Sequence, residues 1–99
     1  MEHKLSSDEI QKVKDGHAVL LDVRSEGELA EKNCRFAQHW DVDQMSRGIF
    51  PNFRKDQPVF IFCRSGNRSA VAQALLTKEG YDDVHNLGGI VNVPEELCA

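Results

Sequence analysis

The chain has 99 residues, of which 40% are hydrophobic and 28% are charged, and its formal net charge is −4. This size and composition predict one globular domain, and the mild acidity excludes a general attraction for nucleic acid or an anionic membrane surface. The longest apolar runs, at residues 18–21 and 59–63, are far too short to cross a membrane. No apolar segment follows the first residues, so we expect no secretory signal.

Helix and strand signals alternate along the first part of the chain. A capping box at residues 6–9 predicts a first helix that ends near Gly16, and residues 18–23 form a short apolar run typical of a buried strand. A second capping box, at residues 25–28, predicts a short helix that continues to about Lys32. Residues 33–40 give a weaker signal, which allows a short strand.

The alternation continues through the second part of the chain. A helix is predicted over residues 41–50, a loop over residues 51–58 and a second buried strand over Val59–Cys63. Apolar residues at helical spacing from Arg68 onward predict an amphipathic helix that Gly80 ends, and residues 84–87 form a last short strand. Apolar strands that alternate with helices predict an α/β domain with a parallel sheet covered on both faces.

The cysteine content gives an expectation about the compartment. The chain has three cysteines and no Cys-x-x-Cys pair. Cys34 and Cys98 have no evident partner, and a disulfide framework is therefore not expected. A reducing cytosol is the compartment that this pattern favours, so we expect a cytoplasmic protein. The four histidines show no ligand spacing, which argues against a metal site; they are His3, His17, His39 and His85.

The junction between the second strand and the long helix carries the clearest chemical signal. Cys63 ends an apolar strand, and the small and basic residues that follow it lead to Arg68 at the start of a helix. Unpaired backbone amides at such a helix start form an anion-binding nest, and they stabilise a cysteine thiolate. A thiolate beside two arginines is a nucleophile for covalent transfer from an oxyanion. The alternative is that Cys63 simply packs in the core, but packing does not explain the sequence that follows it.

Four motifs together resemble the rhodanese, or thiosulfate sulfurtransferase, family. The central one is the loop Cys63-Arg-Ser-Gly-Asn-Arg68-Ser69, which is similar to the family's active-site loop. The other three are Asp22-Val-Arg24 after the first strand, Gly80-Tyr81, and Asn86-Leu-Gly-Gly89. The resemblance extends over residues 6–94 and indicates a single rhodanese domain, 1–99, of the small stand-alone bacterial type. Two stretches depart from the family pattern, at residues 33–39 and 90–94.

The resemblance implies a fold and a reaction. The fold is a five-stranded, mostly parallel sheet with helices on both faces. Cys63 is the catalytic nucleophile, which takes the outer sulfur of thiosulfate as a persulfide, releases sulfite, and passes the sulfur to cyanide or a thiol acceptor. The substrate-binding residues carried over from the family loop are Arg64, Ser65, Gly66, Asn67 and Arg68. The resemblance implies no metal and no organic cofactor.

Two other functions remain open at this point. The chain could be a persulfide carrier or rhodanese-like binding module, which works with a protein sulfur donor or acceptor. A thiol phosphatase-like hydrolase is the less favoured alternative, because such enzymes place five residues between cysteine and arginine, whereas four separate Cys63 from Arg68. Asp22 and Arg24 either help to position the loop or form an ordinary ion pair.

Overall fold

The first elements follow from two helix-capping sequences. The structure, a computed structural model, describes residues 2–98. Helix α1 (Ser7–Lys14) begins at Ser6, where Ser6 and Glu9 cap each other's backbone amides. Strand β1 (Val19–Asp22) follows, fully buried along its length. Ser25 and Glu28 form the second capping box at the start of α2 (Glu26–Glu31). Both predicted capping boxes are therefore confirmed.

The middle of the chain differs in one element from the prediction. Strand β2 (Ala37–His39) lies within the segment that gave the weaker signal. Helix α3 (Val42–Ser46) is shorter than the predicted helix over residues 41–50. It ends early because Gly48 adopts a left-handed conformation, with φ 83°, which a continuing α-helix cannot contain.

The second half contains the longest helix and the last strand of the sheet. Strand β3 (Val59–Cys63) has the predicted bounds, and α4 (Asn67–Lys78) follows after only three residues. Strand β4 (Val84–Gly89) runs two residues further than predicted. A 3₁₀ turn (Ile90–Asn92) and a last short helix, α5 (Glu95–Cys98), complete the described chain.

All four strands run parallel, in the order β2-β1-β3-β4. The α/β fold class is therefore confirmed, but within residues 2–98 the sheet has four strands, and the expected five are not present. The N-terminal segment lies beside β4, where the His3 amide donates to the Asn86 carbonyl at 2.7 Å, and this contact does not extend into a strand. Because the strands are parallel, their carboxyl ends lie together, and the segments that follow the strands all begin at this end of the sheet.

Each face of the sheet buries its own apolar cluster. Alternate residues of β1 and β3 point to opposite faces, so that Leu21, Ile61 and Cys63 pack on the α3–α4 side. Leu20 and Phe60 pack on the other side, with α1 and α5. None of the helices within residues 2–98 is both long and apolar enough to span a membrane.

A disulfide joins Cys34 to Cys98, so the expectation that these cysteines lack a partner is wrong. They are 64 positions apart in the sequence, and only the folded chain brings α5 to the segment before β2. A backbone hydrogen bond of 3.0 Å from the Phe36 amide to the Leu97 carbonyl fixes the same contact. The structure thereby removes the ground on which a reducing compartment was expected.

Candidate active site

Cys63 lies at the carboxyl end of β3, at the edge of the sheet where the connecting loops meet. It is the last residue of the strand, and its side chain has no exposed surface. The loop that follows turns into α4 at Gly66, which occupies the N-cap position with φ 101°. Only glycine adopts this left-handed conformation without strain. The tight turn brings backbone amides back towards the cysteine sulfur.

Hydrogen bonds to the sulfur favour the thiolate. The Gly66 amide donates to Cys63 Sγ at 2.9 Å, and Ser69 Oγ lies 3.6 Å from the same atom. Burial raises the pKa of the Cys63 thiol, but hydrogen bonds from the side chain and backbone of Ser69 and from the Gly66 and Ser65 amides outweigh it. The pKa of Cys63 is therefore below its ordinary value, as expected for a reactive cysteine rather than a core one.

Ser69 and Asn86 form a polar network behind the sulfur. Ser69 is fully buried, and its Oγ lies 2.6 Å from Asn86 Oδ1 and 2.9 Å from the Gly66 carbonyl. Asn86 Oδ1 also accepts from the Gly88 amide at 2.8 Å. β4 is thus connected to the cysteine through one serine. Both residues belong to motifs that resemble the rhodanese family, but the sequence does not show their contact, because it does not show that β4 lies beside β3.

Arg68 makes a two-pronged ion pair with Glu28 of α2. Its Nη1 and Nη2 atoms donate to Glu28 Oε1 and Oε2 at 2.6 and 2.8 Å. These bonds are the main reason that the pKa of Glu28 is lowered to about 2. Burial acts in the opposite direction, and hydrogen bonds from Ser25 lower the pKa further. The capping box of α2 therefore also fixes the arginine of the cysteine loop. The sequence predicted the capping box but not this second role for Glu28.

The remaining predicted site residues lie on the outer side of the loop. Arg64, Ser65 and Asn67 are exposed, while Gly66 is buried against the sulfur. Within residues 2–98, the Arg64 guanidinium makes no ion pair or hydrogen bond with another side chain. The structure thus brings Cys63, Gly66 and Arg68 together and leaves one guanidinium open to solvent at the rim.

Two glycines of β4 allow close approaches to the loop. A Cβ on Gly89 would lie 2.6 Å from the Arg64 carbonyl oxygen, so this position requires glycine. At Gly88, which has φ 91°, a Cβ would meet the carboxylate of Glu2. A Cβ on Gly66 would lie 2.9 Å from Glu2 Oε2. The Glu2 side chain therefore packs against Gly66 of the cysteine loop and against Gly88 of β4.

Asp22 and Arg24 form a buried ion pair below the site. The Arg24 guanidinium donates to both carboxylate oxygens of Asp22 and, at 2.6 Å, to the Lys32 carbonyl. The pair thus anchors the end of α2, which carries Glu28. No cluster of three or more potential metal-ligating side chains occurs in the described part of the chain.

Comparison with known proteins agrees with this geometry. The family profile described as Rhodanese-like domain matches residues 6–95. The chain belongs to the rhodanese family. A thiosulfate sulfurtransferase, GlpE, of Pseudomonas fluorescens is 31% identical over 87 residues, which are 87% of this chain and 78% of that protein. The family match and this relative together make the chain a member of a sulfurtransferase family.

Solved structures share the rhodanese fold. A rhodanese-like domain protein from Staphylococcus aureus superposes with a TM-score of 0.70 at 26% identity, over 93% of this chain and 90% of that one. The human single-domain sulfurtransferase TSTD1 has the same TM-score of 0.70 at 23% identity, over 87% of this chain and 88% of its own. The recognition of the family from its motifs is confirmed.

Proposed function

We propose that this rhodanese is a thiosulfate sulfurtransferase that carries sulfane sulfur as a persulfide on Cys63. The observation that carries the proposal is the hydrogen bond of 2.9 Å from the Gly66 amide to Cys63 Sγ, at a helix start that favours negative charge. The similarity to a protein named thiosulfate sulfurtransferase supports the choice of donor. The four-residue spacing between Cys63 and Arg68 favours sulfur transfer over phosphate-ester hydrolysis.

In the first half-reaction, the Cys63 thiolate attacks the outer sulfur of thiosulfate. A new S–S bond forms to Cys63, the S–S bond of thiosulfate breaks, and sulfite leaves with its electron pair. The Cys63 side chain is buried, which favours a donor whose reactive sulfur is terminal and can enter the loop. The persulfide anion then lies among the amides of residues 64–68, which stabilise its charge.

The two arginines have different parts in this proposal. Arg64, exposed at the rim, attracts the approaching dianion and holds its sulfonate oxygens. Arg68 is already bound by Glu28, so its guanidinium is held in one place and is not free to follow the substrate. Ser65 and Asn67 contribute mainly their backbone amides, because their side chains point outward to solvent.

In the second half-reaction, cyanide or a thiol removes the outer sulfur. The acceptor attacks that sulfur, the bond to Cys63 breaks, and Cys63 leaves as a thiolate that the same amides stabilise. No residue has to change its protonation state, and the proposed cycle requires neither a metal nor an organic cofactor. A depressed thiol pKa helps here too, since a stabilised thiolate is the better leaving group.

The intact mass of the protein after incubation with thiosulfate tests this function. We expect the wild type to gain one sulfur atom, cyanide to remove it, and Cys63→Ser to gain none. Steady turnover of thiosulfate and cyanide in the absence of any other protein distinguishes the enzyme from a carrier that needs a protein donor. An unchanged mass together with Cys63-dependent hydrolysis of an aryl phosphate would contradict the proposal and favour the phosphatase-like alternative.

A further inference from the structure

A cleft opens beside the candidate active site, between the loops that follow β1 and β2. Its volume is about 540 Å³, within the range of small-molecule sites. Ser25 and Glu26 form one wall, and Trp40, Asp41 and Ile49 are part of the other. Cys63 does not line the cleft, but the cleft lies at the carboxyl ends of the strands, as Cys63 does.

Two apolar side chains give the cleft a fixed hydrophobic surface. The Trp40 indole nitrogen donates to the Ile49 carbonyl at 2.9 Å, and this bond fixes the ring. Ile49 is one of the few large apolar residues that are exposed, with 50% of its surface accessible. Trp40 is half-buried against the core, and the part of its ring that borders the cleft is aromatic surface of a kind that attracts cations as well as apolar groups.

The charged side chains of the cleft are acidic. Glu26 and Asp41 both line it, and no lysine or arginine does so among the residues that the structure describes. The other titratable side chain of the lining is His39, whose Nε2 lies 2.5 Å from the Arg24 carbonyl oxygen. Asp41 Oδ1 accepts from the Asp43 amide at 3.0 Å, which fixes the carboxylate at the start of α3. Carboxylates together with an indole suit a small organic cation with an apolar body.

A short chain of contacts connects the cleft to the cysteine loop. Ser25, in the cleft wall, donates from its backbone amide and its hydroxyl to Glu28 Oε1 at 3.1 and 3.0 Å. Glu28 binds Arg68 at 2.6 and 2.8 Å, and Arg68 lies at the start of α4, directly after the loop that begins at Cys63. The wall of the cleft is thus bonded, through Glu28, to the segment that follows the reacting cysteine.

We propose that this cleft binds the sulfur acceptor and that the acceptor is an aminothiol, a small thiol that carries an ammonium group. The proposal rests on the persulfide function proposed above. The ammonium lies against Glu26 and Asp41, the carbon body contacts Trp40, and the thiol is directed past Arg68 to the persulfide. The acceptor thiolate attacks the outer sulfur, the bond from that sulfur to Cys63 breaks, and Cys63 thiolate and an aminothiol persulfide result.

Two variants remove the acidic charges without changing the shape of the cleft. Asp41→Asn retains a residue that caps helices as well as aspartate does, and Glu26→Gln retains the length of the side chain. Glu31→Gln is the matched control, because Glu31 is exposed on the same helix, α2, but does not line the cleft. All three variants remove one negative charge, so a general effect of net charge would appear in the control as well.

The first experiment measures binding without any sulfur chemistry. Trp40 is the only tryptophan of the chain, so its fluorescence reports on the cleft alone. Titration with benzylamine is expected to change this fluorescence, and benzyl alcohol to bind about fivefold more weakly. The preference for the amine should weaken in Asp41→Asn and in Glu26→Gln, disappear when the two substitutions are combined, and persist in Glu31→Gln. Equal binding of amine and alcohol to the wild type would overturn the proposal.

The second experiment measures transfer from protein loaded with sulfur by thiosulfate or by inorganic polysulfide. Cysteamine and 2-mercaptoethanol are compared as acceptors, and the loss of sulfur is followed by intact mass. We compare the rate with cysteamine divided by the rate with 2-mercaptoethanol. This ratio should be about fivefold higher in wild type than in the double variant. Comparing the ratios between the two proteins cancels the intrinsic reactivity of each thiol. Equal ratios overturn the acceptor site while persulfide formation stands. If no persulfide forms at all, the proposed function fails, and the acceptor role of the cleft fails with it, even where benzylamine binds.

Discussion

Glu28 on α2 accepts two hydrogen bonds from Arg68, at 2.6 and 2.8 Å, across 40 positions of sequence. The same carboxylate caps the start of its own helix through Ser25. One side chain thus fixes the entry of α2 and the arginine of the cysteine loop together. Both interactions are strongest when the Glu28 carboxyl is ionised. Protonation of Glu28 in acid should therefore lower the stability of the protein and loosen the arginine of the cysteine loop at the same time.

Glu28→Gln should lower stability at neutral pH and reduce its loss in acid. The pKa of Glu28 falls from 4.5 to about 2 on folding, so its contribution is complete above pH 4.5 and is lost as the pH falls towards 2. After allowance for solvent screening, we expect about 1–2 kcal/mol. Glutamine preserves the capping box.

Urea unfolding of wild type and variant between pH 7 and pH 3 checks this prediction. Glu9→Gln is the comparison for the capping box, since Glu9 closes the equivalent box of α1 and has His3, in place of an arginine, as its further partner. If the two variants lost the same stability with the same pH dependence, the Arg68 contact would contribute no more than the contact of Glu9 with His3.

Ser69→Ala should raise the pKa of the Cys63 thiol. Ser69 provides the largest of the effects that lower this pKa against burial, through both its hydroxyl and its backbone, and the variant removes the hydroxyl. The pH dependence of iodoacetamide alkylation measures the change. Ser65→Ala is the control, because only the backbone amide of Ser65 affects the sulfur, and the thiol pKa should stay as in wild type.

Arg64→Ala and Arg68→Ala should affect turnover in different ways. Arg64 is exposed, so its removal should mainly raise KM for thiosulfate, by roughly three- to tenfold. Arg68→Ala removes one of the two cations proposed to attract thiosulfate and also leaves Glu28 without its partner, so we expect a higher KM together with a loss of stability. Steady-state kinetics on both variants, with urea unfolding in parallel, distinguish them. If Arg68→Ala changed neither kinetics nor stability, our account of the ion pair would be wrong.

Gly89→Ala should damage the cysteine loop. The added Cβ would lie 2.6 Å from the Arg64 carbonyl oxygen, and the loop backbone must move away. We expect a destabilisation of about 1–3 kcal/mol and a marked loss of persulfide formation. Gly27→Ala is the matched control, because a Cβ there meets nothing within 4 Å and alanine favours the helix. Equal stability of both variants would show that the loop has room to shift.

Breaking the Cys34–Cys98 disulfide should cost stability but not the chemistry of Cys63. The bond closes a loop of 64 positions, for which chain entropy predicts about 4 kcal/mol as an upper value. Alkylation of the denatured, non-reduced protein should label one thiol of three. Cys34→Ser should unfold at lower urea concentration and still form the persulfide. Three labelled thiols in that measurement would refute the disulfide.

The sequence was sufficient for local structure and for membership of the family. Capping residues and apolar runs act over a few positions, so α1, β1 and β3 could be predicted close to their observed bounds. The prediction carried α3 too far, although a glycine in the left-handed conformation, such as Gly48, is a common end to a helix and is a signal that the sequence contains. Contacts distant in sequence were also missed: Glu28 with Arg68, Asn86 with Ser69, and Cys34 with Cys98. Each requires the order of the strands, which no short pattern encodes.

The position of Glu2 against Gly66 and Gly88 has a practical consequence for anyone who produces this protein. Whatever is joined ahead of Glu2, whether an affinity tag or a fused domain, emerges directly beside the cysteine loop. Helix α5, at the other end of the described chain, is joined by the disulfide to the segment before β2. β2 and β4 are the two outer strands of the sheet, so the end of α5 lies on the far side from Glu2. A bulky group attached just ahead of Glu2 would therefore crowd the cysteine loop, whereas one attached after α5 would lie away from it.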